Sequence, residues 1–185
     1  MWLRSRSARV VIFVVCIIGG VWFTIATVVR PVMAEIWERR ARMAEERGEL
    51  PEAVTCAQRS LDFQPFRTTV HYLLAGAYQK LGAGDQAIDQ CLRIEELSPD
   101  YADVTYNLGQ LYMMRGQVRE ALPCLKRAAE TNPYSADRQI MLASAYARLG
   151  LKDSARAHLE RALHLDPHSA VARNLLSTLN QKKIP

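Results

Sequence analysis

The pattern of apolar and polar positions changes abruptly once along the chain. From Val10 to Val29 no residue is charged, and Arg9 and Arg30 bracket the stretch. At about 1.5 Å per residue, such a helix is roughly 30 Å long, the thickness of a bilayer hydrocarbon core. After Met33 the pattern becomes amphipathic. Leu74 and Tyr78, or Leu108 and Tyr112, stand four residues apart and share one helix face. The two patterns predict one membrane-spanning helix over 10–29, followed by an array of helices that bury one face each.

The array is periodic. Proline recurs at Pro65, Pro99, Pro133 and Pro167, alanine at Ala53, Ala87, Ala121 and Ala155, and glycine at Gly48, Gly82, Gly116 and Gly150, always 34 residues apart. Leu74, Leu108 and Leu142, and Tyr78, Tyr112 and Tyr146, keep the same interval. Each column has a physical role. Glycine ends the first helix of a unit, where a left-handed residue is needed. Alanine marks a close helix crossing. Proline stops the second helix, because it lacks an N–H and collides with the preceding turn. Each unit therefore reads helix, turn, helix, turn.

This pattern resembles the tetratricopeptide repeat family, whose units are 34 residues long. The third unit matches best, through Leu108-Gly109, Tyr112, Ala121, Ala128 and Pro133. Together with the apolar stretch, the resemblance implies an all-α fold: an N-terminal transmembrane helix and then a right-handed α-solenoid of four helix-turn-helix repeats with a capping helix. The expected divisions are a tail and anchor over 1–33 and a repeat domain over 34–183. Its repeats fall at 34–67, 68–101, 102–135 and 136–169, with the cap at 170–183. The first unit departs from the others, carrying Arg40 and Ala44 where they have Leu and Tyr. Pro31 permits a bend between anchor and first unit, although a nearly continuous helix is also open.

Charge sharpens the division. The chain carries +5, but Arg4, Arg6, Arg9 and Arg30 flank the apolar stretch, and the remainder balances 20 basic against 19 acidic residues. The repeats thus lack the basic face of a nucleic-acid binder. A cleaved signal would have a shorter apolar core, so an uncleaved anchor is expected. Arg4, Arg6 and Arg9 favour a cytoplasmic N-terminus, with the repeats on the far side of a bacterial inner membrane. The unpaired cysteines pull weakly the other way. Cys16, Gly20 and Thr24 lie four apart and offer a small-residue face for a partner helix.

The resemblance implies that the first helix of each unit lines a concave protein-binding groove. The candidate residues are Tyr72 and Gln79 in the second unit, Asp103, Tyr106, Gln110 and Met113 in the third, and Ile140 and Ser144 in the fourth. Tyr72, Tyr106 and Ile140 form an apolar column that would suit an apolar segment of a partner or would merely shield the core. Glu35, Glu38, Arg42 and Glu45 take these places in the first unit. Carboxylates in the repeats otherwise read as solvated faces and helix ends.

No catalytic, cofactor or metal site is expected. His164 and His168 are separated by Pro167, and Cys56, Cys91 and Cys124 show no ligand spacing. The expected function is a membrane-tethered, non-enzymatic adaptor that binds a protein partner, itself membrane-bound, and takes no nucleic acid or small-molecule substrate. The alternative is an accessory subunit of a membrane complex, such as polysaccharide, cytochrome-maturation or pilus machinery, with the transmembrane helix as main contact.

Overall fold

A computed structural model describes residues 6–99, 101 and 103–181, with side chains from residue 14 onward except that of residue 16. Its elements are helices: α1 (Arg6–Thr24), a π turn (Ile25–Val29), α2 (Arg30–Glu46), α3 (Leu50–Phe63), α4 (Thr68–Lys80), α5 (Gly84–Leu97), α6 (Val104–Met114), α7 (Val118–Thr131), α8 (Ala136–Arg148), α9 (Lys152–Leu165) and α10 (Ala170–Gln181). The chain divides into two compact units, residues 1–77 and 78–185, with the boundary inside α4.

In the first unit, α1, the π turn and α2 follow one another without interruption. Pro31 should break such a helix, since it has no N–H and its ring crowds the carbonyl four residues back. The wide turn absorbs the conflict. The Arg30 N–H bonds back to the Ile25 carbonyl, five residues away. Thr27 and Thr24 donate their hydroxyls to the carbonyls of Phe23 and Gly20 at 2.7 and 2.9 Å. Of the two readings open at Pro31, the continuous helix is the one adopted. Its stretch Ile17–Glu46 is long and apolar enough to cross a membrane, and only 6% of the apolar 18-residue window within it is buried.

The α3 helix folds back along α2, so that Ser60, near its end, donates to the carbonyl of Ala34, near the start of α2, at 2.7 Å. Ala34, Ala41 and Ala44 meet Ala53 and Ala57 in this seam, all fully buried. Small side chains let the two backbones approach closely, as the alanine column predicts.

The helix ends behave alike in both units. Gly48, Gly82, Gly116 and Gly150 have φ between 74° and 79°. The residue after each glycine bonds back to the carbonyl five positions earlier, as Gln117 does to Tyr112 at 2.9 Å. The second helices stop at Phe63, Leu97, Thr131 and Leu165, two residues ahead of each column proline. The residue before each proline is extended, with ψ from 83° to 92°.

In the second unit, α6, α7 and α8 enclose a core of Met113, Ala121, Leu125, Ala129, Leu142 and Ala145. A second cluster, Ala143, Leu159, Ala162 and Ala172, joins α8, α9 and α10, so the last helix covers the end of this unit. Cys91 is 2% exposed and packs as a small apolar residue. Burial pushes its thiol up to about 11. Cys56, Cys91 and Cys124 are free thiols.

Candidate protein-binding face

The candidate residues lie on α4, α6 and α8, the first helices of their repeats, except Asp103, which immediately precedes α6. Asp103, Tyr106 and Gln110 are brought together at α6. Tyr106 is half-buried, with its ring against the Met113–Leu125–Leu142 core. Burial, and then the charge of Asp137, push its phenol above the ordinary value, against a hydrogen bond with Gln110. Over the ring, 5.5 Å from its centroid, sits the guanidinium of Arg138. Arg138 is 8% exposed. It donates to the Ala128 carbonyl at 2.8 Å and to the Asp103 carboxylate at 2.5 Å. Beside this group Arg127 donates to Thr105 at 2.8 Å and pairs with Glu95. A shallow hollow of about 150 Å³ opens here, lined by Asp103, Thr105, Tyr106, Arg127 and Arg138 among others.

Arg138 was not among the expected residues, yet the sequence carries a signal for it. Its 34-residue column reads Ile36, Val70, Val104 and then Arg138. Val70 and Val104 are core residues. A guanidinium in an apolar column needs polar partners, and here it finds a carboxylate and a helix-end carbonyl. The neighbouring column behaves similarly, since His71 and Gln139 each bond the carbonyl of the proline six residues back, at 3.0 and 3.4 Å.

Met113 requires a correction. It is 5% exposed and belongs to the core, whereas Met114 is 70% exposed. The unbranched, flexible side chain of Met113 folds into the seam with Leu142 and Ala145 instead of facing outward. Met114 takes the outward place, and the Gln79 amide lies 4.0 Å from its sulfur. Ile140 is also less available than expected, because it packs against the Ala143–Leu159 cluster. Ser144 turns its hydroxyl back to the Ile140 carbonyl at 2.9 Å, which uses its donor within the helix.

In the first unit Tyr72 is 41% exposed. The residue of its column on α2 is Glu38, which is 4% exposed and so is not part of a solvated face. Arg42 donates to one carboxylate oxygen at 2.5 Å. The other oxygen is 2.6 Å from the Arg67 guanidinium, an ion pair by distance without hydrogen-bond alignment. The apolar column therefore ends at Tyr72, and an ionic clamp stands in its place on α2. On α1, Gly20 has open space where a side chain would project, and the hydroxyl of Thr24 is satisfied by the Gly20 carbonyl. The side chain of Cys16 lies outside the described residues. Among the described residues no three His, Cys, Asp or Glu side chains converge as metal ligands would.

With this geometry in place, the comparisons with known proteins agree on the class of molecule. The tetratricopeptide repeat family model matches residues 106–170. No curated protein matches the sequence. A solved structure of MamA from Desulfovibrio magneticus RS-1 superposes with a TM-score of 0.78 at 20% identity, covering 82% of this chain and 85% of that one. YrrB, described as a TPR protein with an unusual peptide-binding site, superposes with a TM-score of 0.73 at 22% identity, covering 80% and 76%. MamA of strain MSR-1 gives 0.71 at 26% identity, covering 80% and 86%. At these identities the superpositions show the fold. The 34-residue columns, the paired helices and the match over residues 106–170 give this chain a tetratricopeptide repeat fold, one that presents protein-interaction surfaces.

Proposed function

We propose that the chain is a membrane-tethered tetratricopeptide adaptor that recruits a protein partner through the exposed faces of its first helices. The observation that carries this reading is the uninterrupted helix from Arg6 to Glu46. Its uncharged stretch is exposed wherever side chains are described between Val14 and Ile25, and its other end is the first helix of the first repeat. No linker separates location from recognition. The exposed side chains on the candidate helices, Tyr72 in the first unit and Met114 in the second, each favour a partner segment with apolar character, and the peptide-binding site named for YrrB lends weight to a peptide-like one. The flanking arginines favour a cytoplasmic N-terminus, with the repeats on the other side of a bacterial inner membrane.

Two measurements test the reading. Alkaline carbonate should leave the full chain in the membrane pellet, and its release would remove the tether. Purification from native membranes should bring a partner along, and Tyr72→Ser with Met114→Ser should lose it while far-UV circular dichroism stays unchanged. Retention of the partner by that variant would refute the face. A detergent extract that runs only as one large particle would instead favour a permanent subunit.

A further inference from the structure

We infer that the loop after α3, with Phe66 at its tip, rests on the surface of the same bilayer that the N-terminal helix crosses, as a second membrane contact of the first unit. The inference depends on the membrane reading above. The fold places this loop at a particular depth. Because α3 returns along α2, its last turn arrives where α2 begins, and the Arg30 guanidinium meets the Asp62 carbonyl at 3.4 Å. The next residues then lie beside the membrane helix itself. Ala26 and Arg30 line one open hollow of about 500 Å³ together with Phe63, Pro65, Phe66 and Arg67. Ala26 belongs to the uncharged stretch, and Arg30 is the first charge after it. A side chain facing both stands at the level where the helix leaves the hydrocarbon.

Phe66 is 77% exposed. Exposure alone would carry nothing, since Tyr134, at the same repeat position in the second unit, is 82% exposed. What distinguishes Phe66 is its position beside Ala26. An aromatic ring at the hydrocarbon boundary can bury its body among acyl chains, while Arg30 at the same level meets anionic headgroups. The loop polar groups are already disposed for this. The Arg67 side chain bonds Gln64 at 3.0 Å and pairs with Glu38, and the Pro65 carbonyl is held by His71. The carbonyl just before the tip is thereby satisfied from the protein side.

Photoreactive benzoylphenylalanine placed singly at 22, 66 or 43 in the full chain, in phosphatidylethanolamine–phosphatidylglycerol nanodiscs, tests the inference by mass spectrometry of lipid adducts. Trp22 is 70% exposed within the apolar stretch, and Met43 is 52% exposed on the same helix. Met43 lies thirteen residues beyond Arg30, about 20 Å along the axis. The expected result is lipid adducts at 22 and 66 but not at 43. Adducts at 22 alone would overturn the loop contact and leave the membrane reading standing. Adducts at 43 as strong as at 66 would also overturn it, because the helix would then lie along the surface. Absence of adducts at 22 would remove the membrane reading, and this inference with it.

Discussion

Replacing Gly109 with alanine should destabilise the second unit, although the same change usually does the opposite. In a helix interior, Gly→Ala contributes roughly 0.5–1 kcal/mol of stability. At Gly109 the new Cβ would lie 2.6 Å from Leu125 Cδ2 and 2.7 Å from Cγ, well inside repulsive contact. Leu125 is 1% exposed and packed with Met113, Ala121 and Leu142, so its side chain can move only at the expense of other core contacts. Either α6 and α7 separate or a core side chain leaves its well, at about 1–3 kcal/mol. The net expectation is a loss of up to about 2.5 kcal/mol, centred near 1 kcal/mol. In a Leu125→Ala background, itself worse by about 2–5 kcal/mol, the obstruction is gone. Of the three atoms nearest the added Cβ, the one that remains is the Leu125 backbone nitrogen, at 3.4 Å. Gly109→Ala should then be neutral or stabilising. The readout is native-state hydrogen exchange of α6 and α7 amides in the full chain in detergent, because repeat arrays open locally and one unfolding midpoint would average over them. An equal loss of protection in both backgrounds would refute the close-crossing argument.

Three further outcomes follow from the described side chains. Glu38→Ala leaves Arg67 and Arg42 without their shared carboxylate; since both guanidiniums keep access to water, the cost should be about 1–3 kcal/mol rather than the full penalty of a broken buried pair, read as faster exchange in α2 and α3. His158 is held neutral below its ordinary value of 6.5, by burial first and then by Arg161 and Lys126, while its Nδ1 lies 2.8 Å from the Gln139 Oε1 and its ring stacks on Tyr146. The unfolded chain therefore takes up the proton first as pH falls below 6.5, so stability of the second unit should decline from neutral pH downward until the folded histidine also titrates, and His158→Gln should flatten that slope in urea titrations at several pH values. Cys91, with its thiol raised to about 11, should resist maleimide at neutral pH in the folded protein and react fully in urea; rapid modification of the folded chain would contradict its core position.

The repeat columns made the helices, their turns and the alanine seams legible in advance, because each column records a backbone demand met in every unit. A left-handed residue, a close crossing and a stop are local requirements, and local requirements leave periodic marks. Which candidate side chains are exposed and which are core was legible only in part. Asp103, Tyr106 and Gln110 do come together, but Met113 and Met114 are adjacent residues of similar character. Which one turns inward is decided by the space that Leu142 and Ala145 leave on α8, and no single-helix pattern contains that. Glu38 was hidden for a related reason. Its column neighbours are apolar, its own helix is crowded with charge, and its burial depends on Arg67, which comes from the loop before α4. Arg138 could have been found, since a charge that replaces Val104 in a buried column announces a local exception. Reading the columns for their breaks as well as their agreement would have exposed it.

The missing linker also bears on what the first unit can recognise. A flexible tether of a few residues would let the repeat explore a span of roughly 5–6 Å times the square root of its length. The π turn at Ile25–Val29 instead carries the helix through Pro31 unbroken, so the orientation of α2 is inherited directly from α1. Under the proposed membrane placement, Tyr72 and the Glu38 clamp are then presented at a nearly fixed height and angle. A partner that diffuses in three dimensions gains nothing from such rigidity. One anchored in the same bilayer does, because its segment arrives at a matching height, and its effective concentration rises only where the geometry permits simultaneous engagement. Inserting a short glycine-serine linker after Val29 should therefore weaken capture of a membrane-embedded partner while leaving binding to the same segment as a free peptide unchanged. Equal loss of both would mean that the insertion had damaged the first repeat, and loss of neither would mean that the rigid junction has no part in recognition.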